Sequence, residues 1–401
     1  MKTYKNIDLT IKSAFVQKYR DGYPLISKES ISDLSKIKDE GVILNLLDSK
    51  GKFIAKGYHG IQNKGFGWVL SLDKNEQIDK DYFAKKIKIA LTCRDDFFNS
   101  KHTTAFRVFN GEGDGIGGLS IDYFDGYYML TWYSKGIYEF KDDILEALKL
   151  HTRYKGIYEK KRFDIKGMYL NNEDDFVCGE KADTPIIVKE NDVNFAIYLD
   201  DGAMVGVFLD QRDVRYAIKE KYANGKTMLN TFSYTGAFSL FASLGGATKT
   251  TSVDLAKRSR PKTGEQFSIN NIDPKTQDII VEDVFNYFKY ALRKKLLFNL
   301  VVLDPPSFAR SKKHTFSVSK DYVKLLKEAI QITSKHGVIV ASTNSANFDM
   351  KTFRGFITKA FKELDGKFEI KQSHTLPKDF KVNPKFKEGN YLKVIFIKKL
   401  F

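Results

Sequence analysis

The residues best suited to chemistry stand at the ends of short apolar runs in the second half of the chain. The run FNLVVL ends in Asp304-Pro305-Pro306-Ser307-Phe308. Two prolines fix the backbone there. They hold Asp304 and the neighbouring carbonyls rigid while Phe308 offers a stacking face, an arrangement suited to a planar base. TSVD ends in Asp254, and an acidic side chain at a strand tip can accept both hydroxyls of a ribose. DIIV is followed by Glu282-Asp283-Val284-Phe285. A carboxylate at that place can accept from an adenine amino group while Val284 and Phe285 wall the ring.

TMLN runs into Asn230-Thr231-Phe232-Ser233-Tyr234-Thr235-Gly236-Ala237-Phe238. One glycine, Gly236, stands at the turn into a helix. This is not G-x-G-x-x-G, so a pyrophosphate cradle is poorly supported. An adenosine site without a phosphate site points to S-adenosylmethionine (SAM) more than to NAD or ATP. Each group has a plainer reading as well: a solvated loop carboxylate, a helix N-cap, or an ordinary strand-to-helix turn. Arg310, Lys312, Lys313 and His314 follow the Pro-Pro motif directly. A basic loop beside a base-sized pocket is where a nucleic-acid backbone would be gripped, with a solvated charge run as the alternative. After GVIVAST the residues Ser342-Thr343-Asn344-Ser345-Ala346-Asn347-Phe348 are polar and contain no cysteine.

Positioning these tips together takes a sheet. From about residue 203, short strands alternate with helices: TMLN, TSVD, DIIV, FNLVVL and GVIVAST, with helices between them and another at 350–364. Such alternation means a parallel sheet covered on both faces, with the ligand beyond the carboxyl ends of the strands. FEIKQSHTL and YLKVIFIKK lack a helix between them and are expected to pair antiparallel at one edge. Upstream, residues 1–75 read as short strands with a hairpin turn at Asp48-Ser49-Lys50-Gly51. Residues 76–200 read as an α+β middle domain, with a helix over 79–98 that carries Cys93 as a packing residue. Residues 201–401 form the third domain.

The chain has 401 residues, and 66 Lys and Arg against 50 Asp and Glu leave a formal charge of +16. That excess favours a polyanionic partner. No apolar run approaches a membrane span, and the N-terminus lacks the pattern of a signal peptide. Two cysteines, Cys93 and Cys178, support neither a disulfide scaffold nor a structural zinc site. The expected compartment is the cytoplasm, with no membrane partner and no metal.

These pieces together resemble a known family. GVFLDQRDVR (206–215), LNTFSYTGAFSL (229–240), VDLA (253–256), EDVF (282–285), DPPSF (304–308) and GNYLKV (389–394) resemble the RlmI-like class I SAM-dependent 23S rRNA methyltransferases, over nearly the whole chain. The resemblance implies an α/β fold: a C-terminal Rossmann-like methyltransferase sheet, an N-terminal PUA-like β-barrel that binds RNA, and the middle domain carrying GEGDGIGGLSIDYFDGYY. It implies that Phe208, Asp210, Gln211 and Arg212 lie along SAM near its amino-acid end. Asn230, Phe232, Tyr234 and Gly236 would form the first SAM loop. Asp254 would hold the ribose, and Asp283 with Val284 the adenine. Asp304, Pro305, Pro306 and Phe308 would face the target base.

One departure from the family pattern bears on the reaction. Cytosine carbon-5 methylation needs a thiolate to attack carbon-6, and cytosine-modifying members carry Ser-Cys-Ser where this chain has Ser342-Thr343-Asn344. The stretch STNSANFDM is instead similar to the RlmK-type guanine-N7 enzymes. Guanine N7 carries a free lone pair and no proton, so alignment alone suffices. Asp304 would accept from guanine N1–H or N2–H, Asn344 or Asn347 would orient the base, and Phe308 would stack, with an exocyclic amine as a competing target. The expectation is therefore an enzyme that methylates a base of 23S ribosomal RNA, or of a large-subunit assembly intermediate, at guanine N7. The alternatives are cytosine carbon-5 methylation, a non-catalytic RNA-binding assembly factor, and a nucleotide-dependent oxidoreductase. A homodimer is one open assembly state.

Overall fold

A computed structural model describes residues 4–62, 65–165, 168–169, 175–202, 205–310 and 315–401. The chain forms two compact units. One comprises Met1–Val188, Ile197–Val205 and Lys378–Gly389; the other comprises Lys189–Ala196, Gly206–Pro377 and Asn390–Phe401.

The first unit holds two five-stranded sheets. In the N-terminal one, Asn6–Thr10 pairs parallel with Ile43–Leu47, and Phe53–Gln62, Gly65–Ser71 and Leu25–Ser27 continue it antiparallel. The hairpin turns where the sequence predicts. Asp48 accepts hydrogen bonds from the amides of Lys50 and Lys52, and Gly51 takes φ +76°, a left-handed conformation that glycine adopts without strain. The helix Ser13–Arg20 is not legible in the sequence, because its short apolar face offers little period; it buries Tyr19, whose hydroxyl donates to Ser30. The second sheet packs against the helices Lys80–Thr92 and Lys141–His151. Cys93 follows the first of these helices and is exposed, so the packing role expected for it is corrected: the helix ends one residue before it.

The second unit is built on a seven-stranded sheet. In chain order its strands are β1 (Thr227–Thr231), β2 (Lys249–Asp254), β3 (Asp278–Val281), β4 (Phe298–Leu303), β5 (Thr333–Thr343), β6 (Phe368–His374) and β7 (Lys393–Lys399). Their spatial order is β3-β2-β1-β4-β5-β7-β6. The first five run parallel, and β7 lies antiparallel between β5 and β6. The central strands read as unbroken apolar runs because both of their faces are covered. On β4, Val301 and Leu303 pack with Tyr322, Leu325 and Phe353 on one face, while Leu300 and Val302 pack with Val214, Phe238 and Ala242 on the other. The helix Val318–Gln331 buries Tyr322, Leu325, Leu326, Ala329 and Ile330, a stripe with the helical period. Among the described residues, no helix is long and apolar enough to cross a membrane.

Candidate active site

The reversal of strand order falls between β1 and β4, so their carboxyl ends open the crevice where such sheets bind ligands. β1 runs into a loop that needs three left-handed residues in five: Phe232 at φ +53°, Tyr234 at +51° and Gly236 at +75°. Gly236 is required twice over. Its φ is positive, and a Cβ there would lie 2.4 Å from Thr263 Cγ2. The loop is pinned by its neighbours. Asp254, at the tip of β2, accepts from Tyr234 N at 2.8 Å and from Ala256 N at 2.9 Å. Thr235 donates its hydroxyl to the Gly206 carbonyl at 2.7 Å. Asn230 is fully buried inside β1; its Nδ2 donates to Ser239, and its Oδ1 has no partner among the described residues.

Asp283 is the N-cap of the helix Val284–Arg293, accepting from Phe285 N and Asn286 N. Its Oδ2 remains for another donor. Val284 is 4% exposed and belongs to the core beside Val253 and Leu229.

Asp304 follows β4 directly and is partly buried. Its Oδ1 accepts from the Ser342 hydroxyl at 2.7 Å, and its Oδ2 accepts from Gln211 Nε2 at 3.2 Å. Gln211 Nε2 also donates to Ser342 Oγ at 2.9 Å, and the Ser342 carbonyl accepts from the Tyr322 hydroxyl. Burial pushes the Asp304 carboxyl up to about 6; the Asp210 carboxylate adds to the rise, while Ser342, Arg215 and Gln211 oppose it. Pro305 is buried and Pro306 exposed; Phe308, two residues on, is 61% exposed. Ser307 donates its hydroxyl to Asn344 Oδ1 at 2.6 Å, which leaves the Asn344 side chain its NH2 donors and the second lone pair of Oδ1 for another group. Thr343 is fully buried. The backbone of Arg310 pairs with Thr315 in a short hairpin, but its side chain, Lys312, Lys313 and His314 lie outside the described residues.

The run 206–215 enters the site through contacts that its spacing does not reveal. Phe208 is 43% exposed, and its ring centroid lies 5.4 Å from that of Tyr234. The Phe208 carbonyl accepts from Arg215, which forms a bidentate pair with Glu190 at 2.7 and 2.6 Å; both side chains are 1% exposed. Asp210 accepts from the Tyr391 hydroxyl at 2.9 Å. Arg212 is buried with its Nε 3.9 Å from Asp213. Sequence reasoning missed Arg215, Glu190, Tyr391 and the anchoring role of Ser342. Arg215 and Tyr391 sit inside the motifs GVFLDQRDVR and GNYLKV, but nothing in the sequence connects Glu190 to a residue 25 positions away.

The arrangement can take an adenosine with a charged tail. Asp254 and Asp283 retain acceptor capacity, and Gln211 Oε1 is a buried acceptor with no partner among the described residues, as an incoming ammonium would require. The comparisons with known proteins decide the class. A family model described as S-adenosylmethionine-dependent methyltransferase matches residues 116–355, and one for a PUA-like domain matches residues 9–72. The chain belongs to the S-adenosylmethionine-dependent methyltransferase family. Within this methyltransferase family the chain is 56% identical, over 98% of its own length and 99% of the relative's, to YwbD of Bacillus subtilis (strain 168), which is provisionally named a ribosomal RNA large subunit methyltransferase. The ribosomal RNA large subunit methyltransferase I of Aeromonas salmonicida (strain A449) is 27% identical over 94% of this chain and 95% of that protein. Among solved structures, SMU.776, a provisionally assigned methyltransferase complexed with SAH, superposes with a TM-score of 0.90. It is 38% identical over 98% of this chain and 100% of that one. This methyltransferase uses SAM, and its fold is the expected α/β sheet with an N-terminal PUA-like domain.

Proposed function

We propose that this methyltransferase modifies a base of 23S ribosomal RNA, in the free RNA or in a large-subunit assembly intermediate, and that the acceptor is guanine N7. The names of the relatives support the RNA class, and the formal charge of +16 suits a polyanion. The observation that carries the choice of atom is the cysteine-free end of β5. Thr343 is fully buried there, and the unit that holds Asp304 contains neither Cys93 nor Cys178. Thiol attack on a pyrimidine has no candidate in that unit.

Guanine N7 needs none. When bound, SAM supplies a sulfonium methyl that is electrophilic without further activation. Phe308, exposed beside the Pro-Pro turn, stacks on the base. Asp304, held by Ser342 and Gln211, accepts from N1–H or N2–H and balances the positive charge that the purine acquires. Asn344, tethered by Ser307, turns its NH2 donors to the base. No proton is removed, so no general base is required. Asp254 holds the ribose and Asp283 the adenine, while the segment from Phe208 to Arg212 lies along the amino-acid end of the cofactor with Asn230, Phe232, Tyr234 and Gly236.

The test is mass spectrometry of nucleosides from 23S rRNA after incubation with the purified protein and SAM. 7-Methylguanosine in one fragment is expected. 5-Methylcytidine would overturn the choice of atom, and no modified nucleoside on any large-subunit RNA would favour the non-catalytic assembly factor.

A further inference from the structure

The motif GNYLKV brings a charged side chain to the reactive edge of the sheet that the reading above does not use. Lys393 is the first residue of β7 and pairs with Thr343, the last residue of β5. Thr343 stands between the two residues that serve the candidate site from the end of β5, and Ser342 turns its side chain to the face of the sheet opposite to Thr343 and Lys393. Ser342 holds Asp304, and Asn344 is bonded by Ser307. The Lys393 residue is only 4% exposed. Its Nζ donates to the Tyr391 carbonyl at 2.7 Å and lies 5.7 Å from the ring centroid of Phe348, in the loop after β5.

An ammonium has three donors, and the described residues supply one hydrogen-bond acceptor and an aromatic face, with the Asp349 carboxylate as the nearby charge that favours the ammonium. Burying such a charge with donors unfilled costs free energy, and a methionine of similar length would fill the same place without that cost. The ammonium is best explained by an acceptor that arrives with the substrate. The Hoogsteen edge of guanine places the 6-oxo group directly beside N7, and lysine donating to that oxygen is a common way of reading guanine. Adenine carries an amino group at that position and would set donors against an ammonium.

We infer that Lys393 contacts the target base, donating to the guanine 6-oxo group and so selecting guanine while leaving the N7 lone pair free. This rests on the guanine-N7 reading above. Asp304 on one side of the purine and Lys393 on the Hoogsteen side then fix its rotation.

The experiment compares the wild-type protein with Lys393→Met and Lys393→Arg on two synthetic RNAs. One carries the guanosine that the wild-type enzyme methylates; the other carries 2-aminopurine there, which keeps N7 and lacks the 6-oxo group. The difference in intrinsic reactivity of the two bases is common to every variant and cancels. Lys393→Met is expected to lower kcat/KM on the guanosine RNA by about 10–100-fold. It should equal the wild type on the 2-aminopurine RNA and leave SAM affinity unchanged. Lys393→Arg should recover part of the loss. An equal loss on both RNAs with a flatter salt dependence would place Lys393 on a phosphate and overturn the inference. Weakened SAM binding or a lowered melting temperature with discrimination unchanged would make the residue structural and overturn it too. A wild-type product other than 7-methylguanosine would instead defeat the reading of the acceptor atom, and the inference with it.

Discussion

Ser342, near the carboxyl end of β5, donates its hydroxyl to Asp304 just beyond β4 at 2.7 Å, so two strand tips are joined by one hydrogen bond. Gln211 bridges the same pair from outside the sheet, donating to both residues. The carboxylate that the Pro-Pro turn presents is thus oriented by side chains from two other parts of the chain.

Ser342→Ala removes the contact that most strongly lowers the Asp304 carboxyl against the effect of burial. Methyl transfer should fall about tenfold, the worth of one hydrogen bond to a charged group. The acidic limb of the pH–rate profile should move to higher pH. A loss of rate with no movement of that limb would mean that Ser342 does not act through Asp304.

The pH dependence itself follows from Asp304. Its carboxyl is raised from the ordinary carboxylate range to about 6, so the form able to accept a hydrogen bond grows as pH rises through about 6. Transfer should be weak at pH 5 and level above pH 7. For stability the sign is opposite. Between about 4 and 6 the folded state keeps a proton that the unfolded state has released, so stability falls as pH rises through that window. Asp304→Asn should therefore abolish transfer while raising stability at neutral pH by an amount on the order of 1–3 kcal/mol, read as a higher melting temperature. Calorimetry showing a lower melting temperature would contradict this.

Asp254→Ala should weaken SAM binding by roughly 1–3 kcal/mol, measured by titration calorimetry. The variant also releases Tyr234 N and Ala256 N. Asp254→Asn, which keeps one oxygen acceptor for the loop, should separate the loop's loss from the ribose's. Equal affinity for wild type and Asp254→Ala would remove the ribose assignment.

Arg215 and Glu190 are buried together, so removing one partner strands a charge. Glu190→Gln should cost about 3–5 kcal/mol of stability in denaturant unfolding. It should also raise the KM for SAM, because Arg215 carries the Phe208 carbonyl. A KM that stays constant would confine the pair to folding.

Replacing Cys93 and Cys178 together by serine should leave the methyl-transfer rate unchanged, since Cys93 is exposed and both lie in the unit that does not hold Asp304. Abolished transfer in the folded double variant would point to thiol catalysis after all.

The strands and helices of the second unit were legible because they sit in a sheet covered on both faces. That condition forces apolar runs such as FNLVVL and a helical stripe such as Tyr322, Leu325, Leu326 and Ala329. Turn chemistry marked Asp48–Gly51, and the small residues around Gly236 marked the loop after β1. The helix Ser13–Arg20 was hidden because one short turn of apolar residues has no resolvable period.

By itself the sequence determined which residue types end each strand, since local pattern and backbone chemistry act over a few positions. It therefore marked Asp254, Asp283, Asp304 and Phe308 as candidates and excluded a cysteine after β5. Only the tertiary structure decided what holds them. Ser342 and Gln211 on Asp304, Arg215 and Glu190 beneath Phe208, Tyr391 on Asp210, and Lys393 beside Thr343 are contacts between residues far apart in the chain. Strand order and register bring such pairs together, and hydrogen bonds and ion pairs reach only a few ångströms. No spacing along the chain encodes that proximity.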